Sequence, residues 1–237
     1  MLKTNIYLVI FALLGFGFSL AYSSDIFHAN IFPADQPDFL AYTHTNTIKE
    51  KGDSIFINHF YYTPDGEIYV EDKLILVNNE PFYNSFQFYQ IGEFSSLERK
   101  GEKVELKHIK NGKEKIITRD LKSPLVFAPN QQMVIRSYLD TLQKGGSVEF
   151  YIFASDITRL LKMKVVMIDD SDYERPGCIV LQMKPKSKLI DWFVDEVFYV
   201  VNKMTGNIIE MHGFSTLKLK VDDKWKYSNM DFYFSYE

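Results

Sequence analysis

The stretch Ser54–Val77, SIFINHFYYTPDGEIYVEDKLILV, settles the architecture. Two runs rich in β-branched and aromatic residues flank Pro64-Asp65-Gly66. The proline presets φ and the glycine accepts a positive φ, so the tripeptide reads as a turn between the strands Ser54–Thr63 and Glu67–Val77. The same rhythm spreads to both sides. Ala41–Lys49 joins the first run around Gly52-Asp53, and Glu80-Pro81 breaks the second before Phe82–Ile91 resumes it. There Phe82, Phe86 and Phe88 share one face and Tyr83, Tyr89 and Ile91 the other, so both sides are at least partly covered.

Phe94–Leu121 is more polar. Asn111-Gly112 marks a hairpin between Val104–Lys110 and Lys113–Arg119. The charges of this stretch suit a solvated sheet edge that resists edge-to-edge pairing. A helix is predicted over Gln131–Gln143, with Asn130 as N-cap after Pro129. Ile135, Tyr138, Leu139 and Leu142 form one apolar stripe, and Gly145-Gly146 ends it. A second helix follows Pro185, with Ser187 as cap and Leu189, Ile190, Trp192, Phe193 and Val194 crowded into two turns; a helix apolar on most sides must be buried. Strands resume at Ser147–Ala154, Leu160–Asp169, Cys178–Lys184, Glu196–Asn202 and Ile208–Leu217, and the chain closes on Met230, Phe232, Phe234 and Tyr236. Runs of strands that do not alternate with helices indicate an α+β fold. The expected form is a large curved antiparallel β-sheet, a half-barrel of about ten to twelve strands with two covering helices.

The first 21 residues read as an address. Lys3 precedes an apolar run, Ile6–Phe18, broken only by Gly15 and Gly17, and Ser19-Leu20-Ala21 supplies small residues around a cleavage site. This is the build of a secretory signal peptide. The run is short of the ~20 residues that span a membrane, and no cysteine follows it as in a lipoprotein leader. The expected layout is a signal peptide at 1–21, an extended lead-in at 22–40 with Pro33 and Pro37, and one β-rich domain at 41–237. The chain has 27 basic and 31 acidic residues; the leader removes one lysine and no acid, leaving a body of net charge −5. That balance argues against a nucleic-acid partner or a polybasic membrane contact. The lone Cys178 has no internal disulfide partner and sits in an apolar strand pattern, as an inert buried thiol would. The aromatic content, 20 Phe, 15 Tyr and 2 Trp, fits a sheet core, an apolar cavity or a lipid-facing barrel.

No catalytic motif is found. His28, His44, His59, His108 and His212 show no metal-ligand spacing, although a fold can bring distant histidines together. Gly213-Phe214-Ser215 starts like a nucleophile elbow, but Leu217 stands where the second glycine belongs. Asp169-Asp170-Ser171-Asp172 offers oxygen ligands for Ca²⁺ but lacks the glycine and closing glutamate of an EF-hand loop, so a solvated turn is the simpler account. Lys184, Lys186 and Lys188 form a small basic patch that suits an anionic head group or a solvated loop.

Met183-Lys184-Pro185, the apolar helix Leu189–Val194, Asp195–Val200, the Thr205-Gly206 turn and Ile208–Ser215 together resemble uncharacterised exported proteins of Gram-negative bacteria, of domain-of-unknown-function type. The helix ending at Leu142 with Lys144-Gly145-Gly146, and Pro81-Phe82 with Gly92-Glu93, extend the resemblance to about residues 60–217. The element order is also similar to the half-barrel of periplasmic lipoprotein carriers. That similarity implies a concave apolar face with the Trp192-Phe193 helix as lid or plug; it supplies no activity and no catalytic residues. The expectation is therefore a non-catalytic periplasmic protein without metal or cofactor. Its partner would be an acyl chain, a lipid or an envelope protein, with Phe150, Ile152, Trp192 and Phe193 lining the concavity. The alternatives are an integral outer-membrane β-barrel and, behind it, an exported hydrolase. Against the barrel stand the charged Val104–Arg119 stretch and the two helices.

Overall fold

Tight turns set the register of the sheet. Asn78-Asn79, Asn111-Gly112 and Asp222-Asp223 each hold two successive residues at positive φ, the twist that matches a two-residue hairpin. The computed structural model describes residues 26–155, 158–187 and 196–237. In chain order the strands are β1 (Phe27–Pro33), β2 (Tyr42–Lys51), β3 (Ser54–Tyr62), β4 (Ile68–Val77), β5 (Glu80–Phe88), β6 (Glu93–Lys100), β7 (Lys103–Lys110) and β8 (Lys113–Asp120). They continue as β9 (Ser147–Ala154), β10 (Arg159–Ile168), β11 (Cys178–Pro185), β12 (Val197–Asn202), β13 (Ile208–Val221) and β14 (Lys224–Tyr236). All belong to one antiparallel sheet in the order β8-β7-β6-β5-β4-β3-β2-β1-β14-β13-β12-β11-β10-β9.

The expected α+β half-barrel of ten to twelve strands is thus a 14-stranded sheet with little helix. Phe27–Pro33, inside the stretch read as a lead-in, pairs from Phe27↔Tyr236 to Pro33↔Met230 and links the two ends of the chain. Its alternation of buried Phe27, Ala29 and Ile31 with more exposed neighbours is a strand signal that the nearby prolines obscure. Glu93–Lys100 is a strand of its own, and the last hairpin extends beyond Leu217 to Val221. The helix at 131–143 breaks at Tyr138 into α1 (Gln131–Ser137) and α2 (Leu139–Gln143). Ile135 and Leu142 are buried while Tyr138 is exposed, so the break keeps the two best apolar positions on the sheet. Asn130 does not cap α1; its Oδ1 accepts the Phe127 N–H at 2.7 Å and closes the preceding turn instead. The helix expected after Pro185 falls outside the described residues, as does the leader.

The sheet joins fully at β1–β14, whereas β8 and β9 share no ladder among the described residues; the segment after β8 makes one parallel bridge to β9, Leu125↔Tyr151. Val126 N–H donates to Tyr151 O at 2.9 Å, and Tyr151 N–H to Pro124 O at 2.8 Å. The cause lies in the two faces of β9 and β10. Phe150, Leu161 and Met163 enter a core with Val148, Leu181 and Tyr199 under the helices. From the opposite face Tyr151, Phe153 and Leu160 pack against Ile57, Leu74, Leu97 and Leu106 of the other half, together with Leu125 and Phe127. Because alternate residues point to opposite faces, this edge is covered on both sides. It slides inside the β3–β7 face rather than meeting β8 edge to edge, so the sheet is a roll, not a closed barrel.

A third core, with Ile31, Tyr61, Val70 and Phe88, fills the end beneath the β13–β14 hairpin. A register shift between Phe214 and Lys218 bends that hairpin, as bulges do. It then carries Leu217, Leu219 and Trp225 onto the same core. Outward faces carry ion pairs: Glu71–Lys73 at 3.0 Å, Glu98–Lys100 at 2.6 Å and Lys107–Glu114 at 2.6 Å.

Candidate binding site at the sheet seam

Phe150 and Ile152 share the inner face of β9, as alternation predicts. Phe150 is 4% exposed, and Ile152 packs half-buried on the same core. The space beside Phe150, bounded by Val134, Ile135, Tyr138, Leu142, Val148 and Val165, measures about 10 Å³. That is the scale of one water, against the several hundred Å³ of a ligand pocket. Trp192 and Phe193 lie outside the described residues.

The basic patch singled out from the sequence is neutralised where it is described. Lys186 and Lys162 both bind Glu149, at 2.7 and 2.6 Å, and together they hold its carboxyl down at about 2. Lys184 lies 3.9 Å from Glu196. The acidic turn after β10 is also engaged internally: Asp170 Oδ1 accepts the Asp172 N–H at 3.1 Å. The loop then lays Tyr173 on the His212 ring at 4.7 Å and sends Arg175 to Glu210 as a two-pronged pair at 2.9 and 3.0 Å. His212 bridges Asp231 at 2.8 Å and Glu210 at 2.9 Å. Arg175, Glu210, His212 and Asp231 thus form one linked polar cluster beneath Tyr173. Ser215 lies within β13, its Oγ accepting the Leu217 N–H at 3.1 Å.

The roll does bring distant histidines together. His44 and His59 stand with ring centroids 4.6 Å apart, both buried. Register places Asn46 opposite His59, His59 opposite Asp72, and Ser95 opposite His108, so a polar belt, interrupted by Phe86 of β5, runs from β2 to β7 on the inner face. Burial drives both imidazoles toward the neutral form, His44 well below its usual range and His59 down to about 3. It pushes Asp72 up to about 7 even though Asn84 donates to it at 2.7 Å. Both ring nitrogens of His44 and Nε2 of His59 have no hydrogen-bond partner among the described residues. No group of three His, Cys, Asp or Glu among those residues is arranged to hold a metal.

Above the belt the hairpin is latched. Lys218, its side chain 4% exposed, pairs with Glu93, which also lies 3.4 Å from Lys110. The Lys218 carbonyl accepts Tyr42 OH at 2.5 Å and Tyr69 OH at 2.9 Å. Tyr42, Tyr69 and Trp225 stack at 4.7 and 5.2 Å. Burial raises both phenols, Tyr42 to about 12, so they remain donors throughout the physiological range.

An open space of ligand size lies at the seam. A cleft of about 380 Å³ is bounded by Arg119, Asp120, Lys122, Tyr151, Arg159 and Leu160. Arg119 and Asp120 are the last two residues of the charged edge strand β8, Lys122 follows it, and Arg159 opens β10. Tyr151 and Leu160, half-buried on the outward face of the tucked edge, form its floor. From the sequence these cations read as ordinary edge charge. Only the rolling of β9 and β10 under the first half brings Arg159 to the other two.

No family model matches the chain, and no curated protein matches it in sequence. Among solved structures it is similar to a β-barrel-like protein of the domain of unknown function DUF1849 from Brucella abortus, at 9% identity. The similarity covers 90% of this chain and 98% of that one, with a TM-score of 0.48.

Proposed function

We propose that the chain is a non-catalytic protein exported to the periplasm, where it works by binding. The observation that carries the binding role is the seam cleft, ligand-sized at about 380 Å³, whereas the space beside Phe150 holds no more than a water. Export rests on the leader pattern of Lys3, Ile6–Phe18 and Ser19–Ala21. A water-facing body, rather than an integral outer-membrane barrel, is supported by the outward ion pairs on β4, β6, β7 and β8. A lipid-facing strand carries an apolar outer face instead. The cleft lined by Tyr151 of β9 and Leu160 of β10 is accordingly favoured as the ligand site over the face of β9 that carries Phe150 and Ile152.

Fractionation tests the address: osmotic shock should release the protein, and retention in the outer membrane overturns it. Native mass spectrometry of the released protein tests the role. A co-purifying small molecule or lipid is the expected result, and a ligand-free protein that binds nothing from an envelope extract overturns it.

A further inference from the structure

We propose that the seam cleft recognises an oxyanion, a phosphate or carboxylate group carried beside an apolar or planar body; this deepens, and rests on, the binding role above. The first ground is convergent charge. Some outward cations of this acidic chain meet carboxylates, as Lys107 meets Glu114 and as Lys162 and Lys186 share Glu149, while others, such as Lys49 and Lys164, stand singly without an ion pair among the described residues. Arg119, Lys122 and Arg159 converge on one cleft, and none of them forms an ion pair among the described residues. Asp120 is the carboxylate among the lining residues, so the cleft keeps a positive surplus within a chain of net charge −4.

The second ground is donor geometry. A guanidinium presents five N–H donors in a planar fork that matches an oxyanion. Arg119 commits one of these, Nη1, to the neighbouring Thr118 carbonyl at 3.3 Å. The third ground is the floor. Tyr151 contributes aromatic and Leu160 aliphatic surface, so the cleft has a charged rim over an amphipathic base. A bare inorganic ion would leave most of the 380 Å³ unfilled; a phosphorylated sugar or the head group of an anionic phospholipid would occupy it. Both share the chemistry of a phosphate ester on an organic body.

The purified full-length protein is tested against glycerol phosphate by calorimetry and against vesicles of phosphatidylglycerol or phosphatidylcholine by co-sedimentation. Wild type is compared with Arg119→Gln/Arg159→Gln, and with Lys184→Gln as a control whose lysine sits near a carboxylate. Circular dichroism and thermal melts verify the fold of each variant. The expected result is binding of an anionic probe that weakens with salt, falls at least about tenfold in the double variant and is unchanged in the control. Glycerol phosphate binding assigns the soluble ester; binding of phosphatidylglycerol vesicles alone assigns the head group. Equal anion binding by wild type and a folded double variant overturns the proposal. No anion binding, with a neutral ligand found by native mass spectrometry, overturns it too but leaves the binding role intact. No ligand of either kind overturns both.

Discussion

The β1–β14 junction and the β8–β9 seam are the two places where this sheet must meet itself, and they are handled in opposite ways. At β1–β14 seven consecutive residues pair, the Phe27 ring meets Phe234 edge-on and Tyr236 at a tilt, at 5.8 and 5.7 Å, and the β13–β14 hairpin bends over the end. At the seam a single bridge holds Leu125 to Tyr151, and the neighbouring charges face an open cleft. The interior between β2 and the β13–β14 hairpin also buries what a core ordinarily avoids: a Lys–Glu pair, two histidines driven toward the neutral form with nitrogens unpartnered among the described residues, and an aspartic acid. Buried ionisable groups are thus concentrated there, while the seam keeps Arg119, Lys122 and Arg159 exposed. Substitutions should consequently change stability on the first flank and binding on the second.

The largest effect is expected at the latch. Lys218→Met removes the buried partner of Glu93, and breaking a buried ion pair costs about 3–5 kcal/mol because a carboxylate is left uncompensated. Lys110, 3.4 Å from Glu93, supplies some compensation, so the loss should fall near about 3 kcal/mol. Urea unfolding measures it; a loss under about 1 kcal/mol would mean that the hairpin does not seal the flank.

How far the sequence discloses each flank differs in the same way. The Pro64-Asp65-Gly66 and Asn111-Gly112 turns, the strands around them and the Phe150/Ile152 face follow from period-2 alternation and turn chemistry, which are local. The hairpin's bend, the Lys218–Glu93 pair and the His44–His59 contact follow from register across 15 to 125 residues, which no local pattern encodes. The seam cleft is harder still. Arg119 and Arg159 lie 40 positions apart and on different halves of the sheet, and alternation alone assigns Tyr151 and Leu160 to solvent. Only the inward tuck of β9 and β10 turns that nominally outer face into the floor of a site. Phe150 is legible in the sequence and packed in the core for one reason, its apolarity on the inner face of β9.

The interior belt gives the next two effects, both dependent on pH. Asp72 is raised from 3.8 to about 7 by burial, so the folded protein keeps a proton that the unfolded chain releases. Its ionisation therefore costs nothing below about pH 4 and destabilises as pH rises toward and through 7. The linkage ceiling is roughly 4 kcal/mol. Asp72→Asn keeps the Asn84 contact and removes the charge, so about 2 kcal/mol should be gained at pH 8 and almost nothing at pH 4. Equal gains at the two pH values would show that Asp72 is not buried as an acid.

The histidines act with the opposite sign. Their folded values lie below the unfolded 6.5, so the unfolded chain takes up protons first and stability falls as pH drops below about 6.5. His44 faces His59, Tyr61 and Phe27, with His28 adding repulsion. His44→Phe removes two unsatisfied nitrogens while keeping a ring, and should gain about 1 kcal/mol at pH 5.5, with less at pH 8. A melting temperature lowered at both pH values would instead assign His44 a partner within the belt.

The smallest stability effect is expected at the seam, and its smallness is what sharpens the contrast. Arg119, Lys122 and Arg159 are exposed and without ion pairs among the described residues, so neutralising them removes no native contact beyond the Arg119–Thr118 hydrogen bond. Surface changes of this kind usually fall within about 0.5 kcal/mol. Three like charges around one cleft also repel, so Arg159→Gln should leave stability unchanged or raise it by a few tenths of a kcal/mol, the gain fading at high salt as screening grows. A loss of about 2 kcal/mol would show instead that Arg159 helps hold β10 beneath the first half. The seam would then be a structural joint rather than a place left open for a ligand.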